Sequence, residues 1–270
     1  MISITLGQGI ALAILAVIVG VDFWLEALFI FRPIIVCTLA GLILGDLQTG
    51  LIVGGLTELA FAGLTPAGGT QPPNPILAGI MGVVIAHTVG VTPQAALGLA
   101  LPFSLLMQYI ILLYYSVFSF FMPMADRYAA EANTKAFIRL NLLMTAIVAV
   151  TYGVVVFLSV YVAQDAMRAL VQSMPAWLTH GLSVAGGILP AVGFAMLMGV
   201  MFNVEYTPFL IIGFWIASFI PFSNILPVAV IGAALAIYEY FNIQRNKSNA
   251  AMSSNVSMTP GEGGEENEGI

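Results

Sequence analysis

One polar stretch, residues 58–75, stands out in an otherwise apolar chain. It contains four prolines and a glycine pair, Gly68 and Gly69, and two amides, Gln71 and Asn74, lie near its end. Proline interrupts regular helices, and irregular backbone at membrane depth is tolerated only where it is buried in protein or lines a water-filled cavity. The stretch is therefore a candidate site for a polar ligand.

Glu58 opens this stretch inside an apolar segment, with no Lys or Arg near it in sequence. A carboxylate at the centre of a membrane costs about 2.5–3.5 kcal/mol on insertion scales, so such a residue is a candidate functional group. We expect Glu58 to face a hydrated cavity and to accept hydrogen bonds from ligand hydroxyls. The alternative is a purely structural glutamate whose hydrogen bonds are made within the protein.

The amides of Gln71 and Asn74 offer both donors and an acceptor, which is the mixed set that sugar hydroxyls require. Gly68 and Gly69 lack side chains and would allow the backbone to approach a ligand closely. These four residues are therefore predicted to contact the substrate together with Glu58. The alternative for the two amides is capping of backbone groups that the prolines leave without partners.

The other charged residues in the first part of the chain have less specific settings. Arg32 precedes a proline at the start of the second apolar segment, where a snorkelling side chain is the simplest interpretation and support of the ligand site is the alternative. Asp46 closes that segment before a turn, so it can serve either as a cap or as support for the ligand site. Asp22 and Glu26 flank the end of the first segment, and their positions predict a solvated boundary.

Composition predicts the class of protein. The chain is 60% hydrophobic and 7% charged, whereas soluble domains are about 25% charged. Several apolar runs exceed the ~20 residues that cross a bilayer, while others are short, as in the broken or re-entrant helices of transporters. We predict an all-α polytopic membrane protein with about nine apolar segments, some of them broken or re-entrant. They lie at about 2–21, 28–45, 51–64, 76–91, 95–122, 137–163, 182–202, 206–220 and 225–241.

Residues 1–241 are thus predicted to form a membrane-embedded transport domain, followed by a disordered acidic tail at 242–270. Cations lie in the long polar connection around residues 127–139 and again just after the last apolar segment. The positive-inside rule places both regions in the cytoplasm. The C-terminus is then cytoplasmic, and counting segments places the N-terminus outside. Within the connection, Arg127, Glu131 and Lys135 are spaced four apart, as in helical ion pairs.

Glycine spacing predicts close packing of the short segments. Gly41 and Gly45, and then Gly50 and Gly54, each follow a small-xxx-small pattern. This pattern lets helix backbones approach one another in lipid.

The sequence offers little for other kinds of chemistry. Cys37 is the single cysteine, and neither His87 nor His180 has a second ligand at metal-binding spacing. The phosphate-binding P-loop, the serine nucleophile elbow and the zinc-binding HExxH pattern do not occur. We therefore expect no metal site, no cofactor and no catalytic residue in this chain.

Several short motifs occur together along the chain: Arg32-Pro33, Gly41-Leu-Ile-Leu-Gly-Asp46, Thr49-Gly50, Gly54-Gly55-Leu-Thr-Glu58, Pro66–Asn74 and Gly181–Gly187. Over about residues 1–241 they resemble the membrane subunit IIC of bacterial sugar phosphotransferase systems, in the mannose–fructose–sorbose group. Three segments look closest to IIC subunits of the galactosamine and N-acetylgalactosamine type: Asp22–Glu26, Pro66–Asn74 and Pro175–Gly181. The chain departs from mannose-type members, which carry Asn-Ile-Gly and Pro-Asp where it has Pro66-Ala-Gly and Pro73-Asn.

This resemblance implies a mechanism and a set of partners. IIC would form a translocation complex with a second membrane subunit, IID, assembled as trimers of heterodimers in the bacterial inner membrane. Cytosolic IIA and IIB would carry the phosphoryl group, so the phosphotransfer chemistry would not reside on IIC. In relatives the sugar lies between a scaffold and a mobile core that contains re-entrant hairpins. The family's substrate-contacting glutamate corresponds to Glu58, and the loop through Gln71 and Asn74 supplies further contacts.

Two other classes of protein remain open at this level. A secondary transporter driven by protons or sodium would use Glu58 as its ion site. A scaffold subunit without transport activity would leave the polar stretch at residues 58–75 without a purpose.

Overall fold

A computed structural model describes residues 3–64, 72–221 and 226–256, and every regular element within those ranges is helical. The prediction of an all-α fold is confirmed. The chain divides into two compact units, Met1–Met201 and Phe202–Ile270. The first unit contains the described parts of the polar stretch, residues 58–64 and 72–75.

The described residues form eleven α-helices, with a π-helical turn and a 3₁₀ turn between some of them. The helices are α1 (Leu6–Leu25), α2 (Pro33–Leu44), α3 (Leu47–Phe61), α4 (Pro75–Val89), α5 (Pro93–Ser119), α6 (Met122–Ala130), α7 (Thr134–Phe157), α8 (Gln164–Ser173), α9 (Ala176–Met201), α10 (Thr207–Phe219) and α11 (Leu226–Val256), and the two turns are Leu158–Val162 and Val204–Tyr206.

Five of these helical stretches in the described residues are long and apolar enough to cross a membrane. They are Leu6–Leu25, Pro93–Ser119, Thr134–Val162, Ala176–Met201 and Leu226–Asn246. Four shorter apolar helical stretches accompany them: Pro33–Leu44, Leu47–Phe61, Pro75–Val89 and Val204–Phe219. With 12 and 15 residues, α2 and α3 rise only about 18 and 22 Å, less than the ~30 Å hydrocarbon core. The predicted combination of spanning and short segments is therefore confirmed.

The two short helices α2 and α3 form a tight hairpin. Gly45 ends α2 in the left-handed conformation, with φ 78°, and Asp46 caps α3. A Cβ atom on Gly41 would lie 2.8 Å from the Cα of Gly50, and a Cβ atom on Gly50 would lie 2.6 Å from the carbonyl oxygen of Cys37. The close packing predicted from the glycine spacing is confirmed at Gly41, Gly50 and Gly54, whereas a Cβ atom on Gly45 would meet open space and this residue serves the turn instead.

Helix α4 lies at the centre of the first unit. It packs against α1, α2, α3 and α5, and 12 of its 15 residues are buried, namely Ile76–Ala86 and Thr88. A helix that is apolar on every face is stable only when surrounded. Its start is fixed by Asn74 at the N-cap and by Pro75 in the first turn, where the missing N–H of proline has no consequence.

The structure differs from the sequence-based predictions at two places, the charged connection and the end of the last helix. Ala132, with φ 51°, separates α6 from α7, so Glu131 and Lys135 lie on opposite sides of a helix break and the i,i+4 rule does not apply to them. Arg127 and Glu131 do pair, at 2.8 Å. Helix α11 continues to Val256, beyond the predicted end of the folded domain at residue 241. The remaining tail, 257–270, lies outside the described residues.

Candidate functional site

A cavity of about 290 Å³ lies in the first unit, at the open end of the α2–α3 hairpin. This volume is at the lower limit of small-molecule sites, which begin at about 300 Å³, and it suits a ligand as small as a monosaccharide. Its walls combine three charged side chains with aromatic rings and prolines. They are Phe23, Glu26, Phe29, Phe31, Arg32, Pro33, Glu58, Phe61, Leu64, Pro72 and Pro75.

Glu58 and Arg32 form an ion pair within this cavity. One carboxylate oxygen, Oε1, accepts from the guanidinium of Arg32, and the other, Oε2, accepts from the backbone N–H of Ile34 at 3.2 Å. Ile34 lies in the first turn of α2, where free N–H groups and the helix dipole favour a negative charge. The two side chains remain 21% and 44% exposed, so both can still reach a ligand in the cavity.

The ion pair places Arg32 beside Glu58 in the cavity, where it can support the ligand site, and it explains how Glu58 is tolerated in an apolar protein. The partners are 26 residues apart in sequence, on the two arms of the hairpin. A paired carboxylate is far less costly to remove from water than an isolated one. The same carboxylate keeps unused lone pairs, which can accept hydrogen bonds from a polar ligand.

Aromatic rings form much of the remaining wall. Phe31 packs edge-on against Phe23, with ring centroids 5.1 Å apart, and lies 5.6 Å from Phe29. Aromatic faces carry partial negative charge and attract the weakly positive C–H groups on one face of a sugar ring. A cavity with charged groups beside aromatic faces can therefore hold a sugar by hydroxyls and ring together.

The solvated position predicted for Asp22 is wrong, because only 5% of the residue is exposed. Its carboxylate accepts three backbone N–H groups from the loop between α1 and α2, donated by Leu28, Ile30 and Phe31. Glu26 lies in that loop and is exposed, as expected. The sequence did not predict the structural role of Asp22, because an Asp at the end of an apolar segment is most simply interpreted as exposed to water.

Asn74 is fully buried and both ends of its amide have partners within the protein. The oxygen accepts from the N–H of Leu77 at 3.0 Å, and the nitrogen donates to the hydroxyl of Tyr152 at 2.6 Å. Its backbone N–H and carbonyl bond to Ser104 at 3.1 and 2.8 Å. In this structure Asn74 performs the capping role that was the alternative to a ligand contact, and it anchors the end of the polar stretch to α5 and α7.

The remaining predicted contacts, Gly68, Gly69 and Gln71, lie outside the described residues. The described ends of that segment, Leu64 and Pro72, both line the cavity.

Asp46 lies away from the cavity. Of its two predicted roles, the structure therefore favours the helix cap over support of the ligand site. Twelve helical residues, or about 18 Å along α3, separate it from Glu58. It caps α3 by accepting from the N–H of Thr49 at 3.1 Å, and it contacts Nδ1 of His87 at 3.1 Å. His87 lies in α4, so this contact fixes the tip of the hairpin to that helix.

The pKa of the Asp46 carboxyl is held below its ordinary value by hydrogen bonds from Thr49 and from His87. A lowered pKa means that the charged form stabilises the fold above the ordinary value, near 4, and that this contribution is lost as the pH falls through the lowered pKa. We expect Asp46→Ala to lower the free energy of unfolding by about 1 kcal/mol at pH 7, as for other N-caps. Asp46→Asn keeps a capping oxygen, so it should cost less.

Thermal melting of the purified protein at pH 7 and pH 3 measures this effect. The difference between wild type and Asp46→Ala should shrink at pH 3, and Asp126→Asn on the exposed face of α6 is the control. Equal melting temperatures for wild type and Asp46→Ala at pH 7 would show that the cap is dispensable.

A second cleft, of about 490 Å³, lies between α10 and α11 in the second unit. Its lining is mainly aliphatic and aromatic, with Glu239 as its carboxylate and with Tyr206 and Tyr240. The cavity at the α2–α3 hairpin is the better candidate site for a polar ligand, because it places an arginine and two carboxylates beside its aromatic rings.

Comparison with known proteins agrees with the motifs read from the sequence. The family described as the PTS system sorbose-specific IIC component matches residues 6–238. The chain is 65% identical to N-acetylgalactosamine permease IIC component 1 of Escherichia coli (strain K12) over 240 residues, which cover 89% of this chain and 90% of that protein. It is 30% identical to the mannose-specific EIIC component of the same organism, over 87% of this chain and 88% of that protein.

Solved structures support the same relationship. One, described as a membrane protein, superposes with a TM-score of 0.77 at 29% identity and covers 88% of this chain and 96% of its own. The cryo-EM structure of the mannose transporter ManYZ with microcin E492 superposes with a TM-score of 0.56 at 28% identity, with the same coverage. The resemblance inferred from the sequence motifs is confirmed: this membrane protein belongs to the sorbose-type family of IIC permease components of the sugar phosphotransferase system.

Proposed function

We propose that this IIC subunit imports an amino sugar of galactose configuration, N-acetylgalactosamine or galactosamine, through the cavity at the open end of the α2–α3 hairpin. The observation that carries the proposal is the Arg32–Glu58 pair in an aromatic-walled cavity of monosaccharide size. The 65% identity to an N-acetylgalactosamine permease component supports the choice of sugar.

In this proposal the side chains divide the recognition of the sugar between them. Glu58 accepts hydrogen bonds from ring hydroxyls, and Arg32 donates to hydroxyl or N-acetyl oxygens while it holds the carboxylate. The loop from Pro66 to Asn74 sets selectivity, with Gln71 contacting the sugar and the glycines Gly68 and Gly69 admitting it closely. Asn74 contributes by anchoring the loop. A site built to hydrogen-bond a given group strongly rejects sugars that lack it.

The same proposal assigns partners and orientation. A IID membrane subunit completes the translocation path, in trimers of heterodimers. The sugar arriving inside is phosphorylated by cytosolic IIB, which receives its phosphoryl group from IIA, so this chain transports without performing the phosphotransfer. The C-terminus and the α6–α7 connection face the cytoplasm of a bacterium, and the N-terminus lies outside.

Uptake of labelled N-acetylgalactosamine tests this function. In cells that express the chain with IID and the relay proteins, the label should accumulate as sugar phosphate, independently of ion gradients. Unlabelled galactosamine should compete better than mannose or glucose, because the site is proposed to read the galactose configuration and the amino substituent.

The control is a strain without IIB, in which accumulation should fall to background. Undiminished uptake of free sugar in that strain, abolished by an uncoupler, would instead identify a proton-coupled secondary transporter. Stronger competition by mannose would overturn the choice of substrate without affecting the assignment to the family.

A further inference from the structure

The loop between α1 and α2 has an unfavourable backbone conformation at two of its residues. Glu26 and Phe29 adopt left-handed φ values of 49° and 58°, a region that residues other than glycine seldom occupy. Both residues line the cavity. Some other group must therefore hold the loop in this shape.

Asp22 supplies that restraint from the last turn of α1. Its Oδ1 accepts from the N–H of Leu28 at 2.6 Å, and its Oδ2 accepts from Ile30 at 2.7 Å and from Phe31 at 3.3 Å. A carboxylate near the C-terminal end of a helix is disfavoured by the helix dipole, and burial adds to the cost of its charge. The helix dipole therefore gives no reason for a carboxylate at this position, whereas the three hydrogen bonds from the loop do.

The position of the loop fixes the cavity wall. Phe31, whose N–H bonds to Asp22, packs between the rings of Phe23 and Phe29. The next residue, Arg32, pairs with Glu58. A shift of the loop would therefore displace the aromatic wall and the arginine together.

We infer that Asp22 is a positioning residue for the sugar site: it binds no sugar itself, and it sets the places of Phe29, Phe31 and Arg32 through the backbone of the loop. The inference rests on the proposed function for the identity of the ligand. Its structural part, the restraint of the loop by Asp22, is independent of that ligand.

The Asp22→Asn variant of the full-length chain tests both parts. Asn keeps the size of Asp but turns one acceptor into an NH₂ donor, which would face an N–H of the loop. Amide hydrogen exchange in residues 26–32 should accelerate while exchange in α4 stays unchanged. The apparent KM for N-acetylgalactosamine should rise about tenfold with the maximal rate of uptake retained, and Asp126→Asn should alter neither quantity.

Phe29→Gly is the second variant, for use if Asp22→Asn does not fold. Glycine adopts the left-handed φ without strain, and the ring it removes is 55% exposed, so the fold should survive while sugar affinity falls. Unchanged exchange in Asp22→Asn, or wild-type affinity in either variant, would overturn the inference. If the wild type itself fails to bind the sugar while exchange responds as expected, the proposed function is wrong and the restraint of the loop stands.

Discussion

The Glu58→Gln variant is expected to bind its sugar about ten- to a hundredfold more weakly than the wild type. The carboxylate accepts from Arg32 and Ile34 and is proposed to accept from sugar hydroxyls as well. Charge-assisted hydrogen bonds of this kind are about twice as strong as neutral ones, and their loss corresponds to about 1.5–3 kcal/mol. Binding of labelled N-acetylgalactosamine to the purified complex at several pH values is the measurement.

The matched control is Glu131→Gln, which breaks the other Arg–Glu pair of the structure's described residues. That pair lies outside the cavity, with side chains 76% and 49% exposed, and exposed i,i+4 pairs contribute only about 0.3–0.5 kcal/mol. Sugar binding should be unchanged in Glu131→Gln. A double variant, Arg32→Gln with Glu58→Gln, measures how far the two cavity residues act as one unit.

Two other outcomes would give Glu58 a different role. Loss of the folded protein, with no binding to measure, would make it a structural residue that closes the hairpin through Arg32. Sugar binding that survives in Glu58→Gln, together with transport that no longer follows an ion gradient, would identify a proton- or ion-coupling site. Only a selective loss of sugar affinity supports the proposed contact.

The Gly50→Ala variant is expected to destabilise the hairpin by about 1–3 kcal/mol, the usual cost of overpacking. Its Cβ would lie 2.6 Å from the carbonyl oxygen of Cys37 and 2.9 Å from the Cα of Gly41. Both are backbone atoms, which cannot move aside as a flexible side chain can. Because Arg32 and Glu58 lie on opposite arms of the hairpin, separating the arms should also weaken sugar binding.

Gly55→Ala on the same helix is the control, since a Cβ atom there meets nothing within 4 Å. Alanine favours helix over glycine by about 1 kcal/mol, so this variant should be as stable as the wild type or more so. Thermal melting of the purified proteins compares the two. A Gly50→Ala variant as stable as Gly55→Ala would show that the crossing of α2 and α3 relaxes without cost.

The sequence by itself determined the class of the protein and the parts of the chain that matter. Hydropathy identifies the spanning and short helices, because an apolar segment in lipid must form its backbone hydrogen bonds internally and a helix does so within one segment. Glycine spacing predicted the close crossing of the hairpin helices, because residues without side chains at this spacing let two helix backbones approach each other. Glu58 was conspicuous for the same reason: a carboxylate in an apolar segment needs an explanation that local sequence does not contain.

Only the tertiary structure decided which groups meet these polar residues. Arg32 lies 26 residues from Glu58, and Tyr152 lies 78 residues from Asn74. Among 17 phenylalanines, nothing in the sequence distinguishes the few that wall the cavity. Asp22 and Asp46 are both acids at helix ends. Asp22 is buried against the loop between α1 and α2, whereas Asp46 caps α3 about 18 Å from Glu58. Hydropathy and spacing act along the chain, whereas the partner of a buried polar group depends on which helices pack together, and that is set by contacts between distant segments.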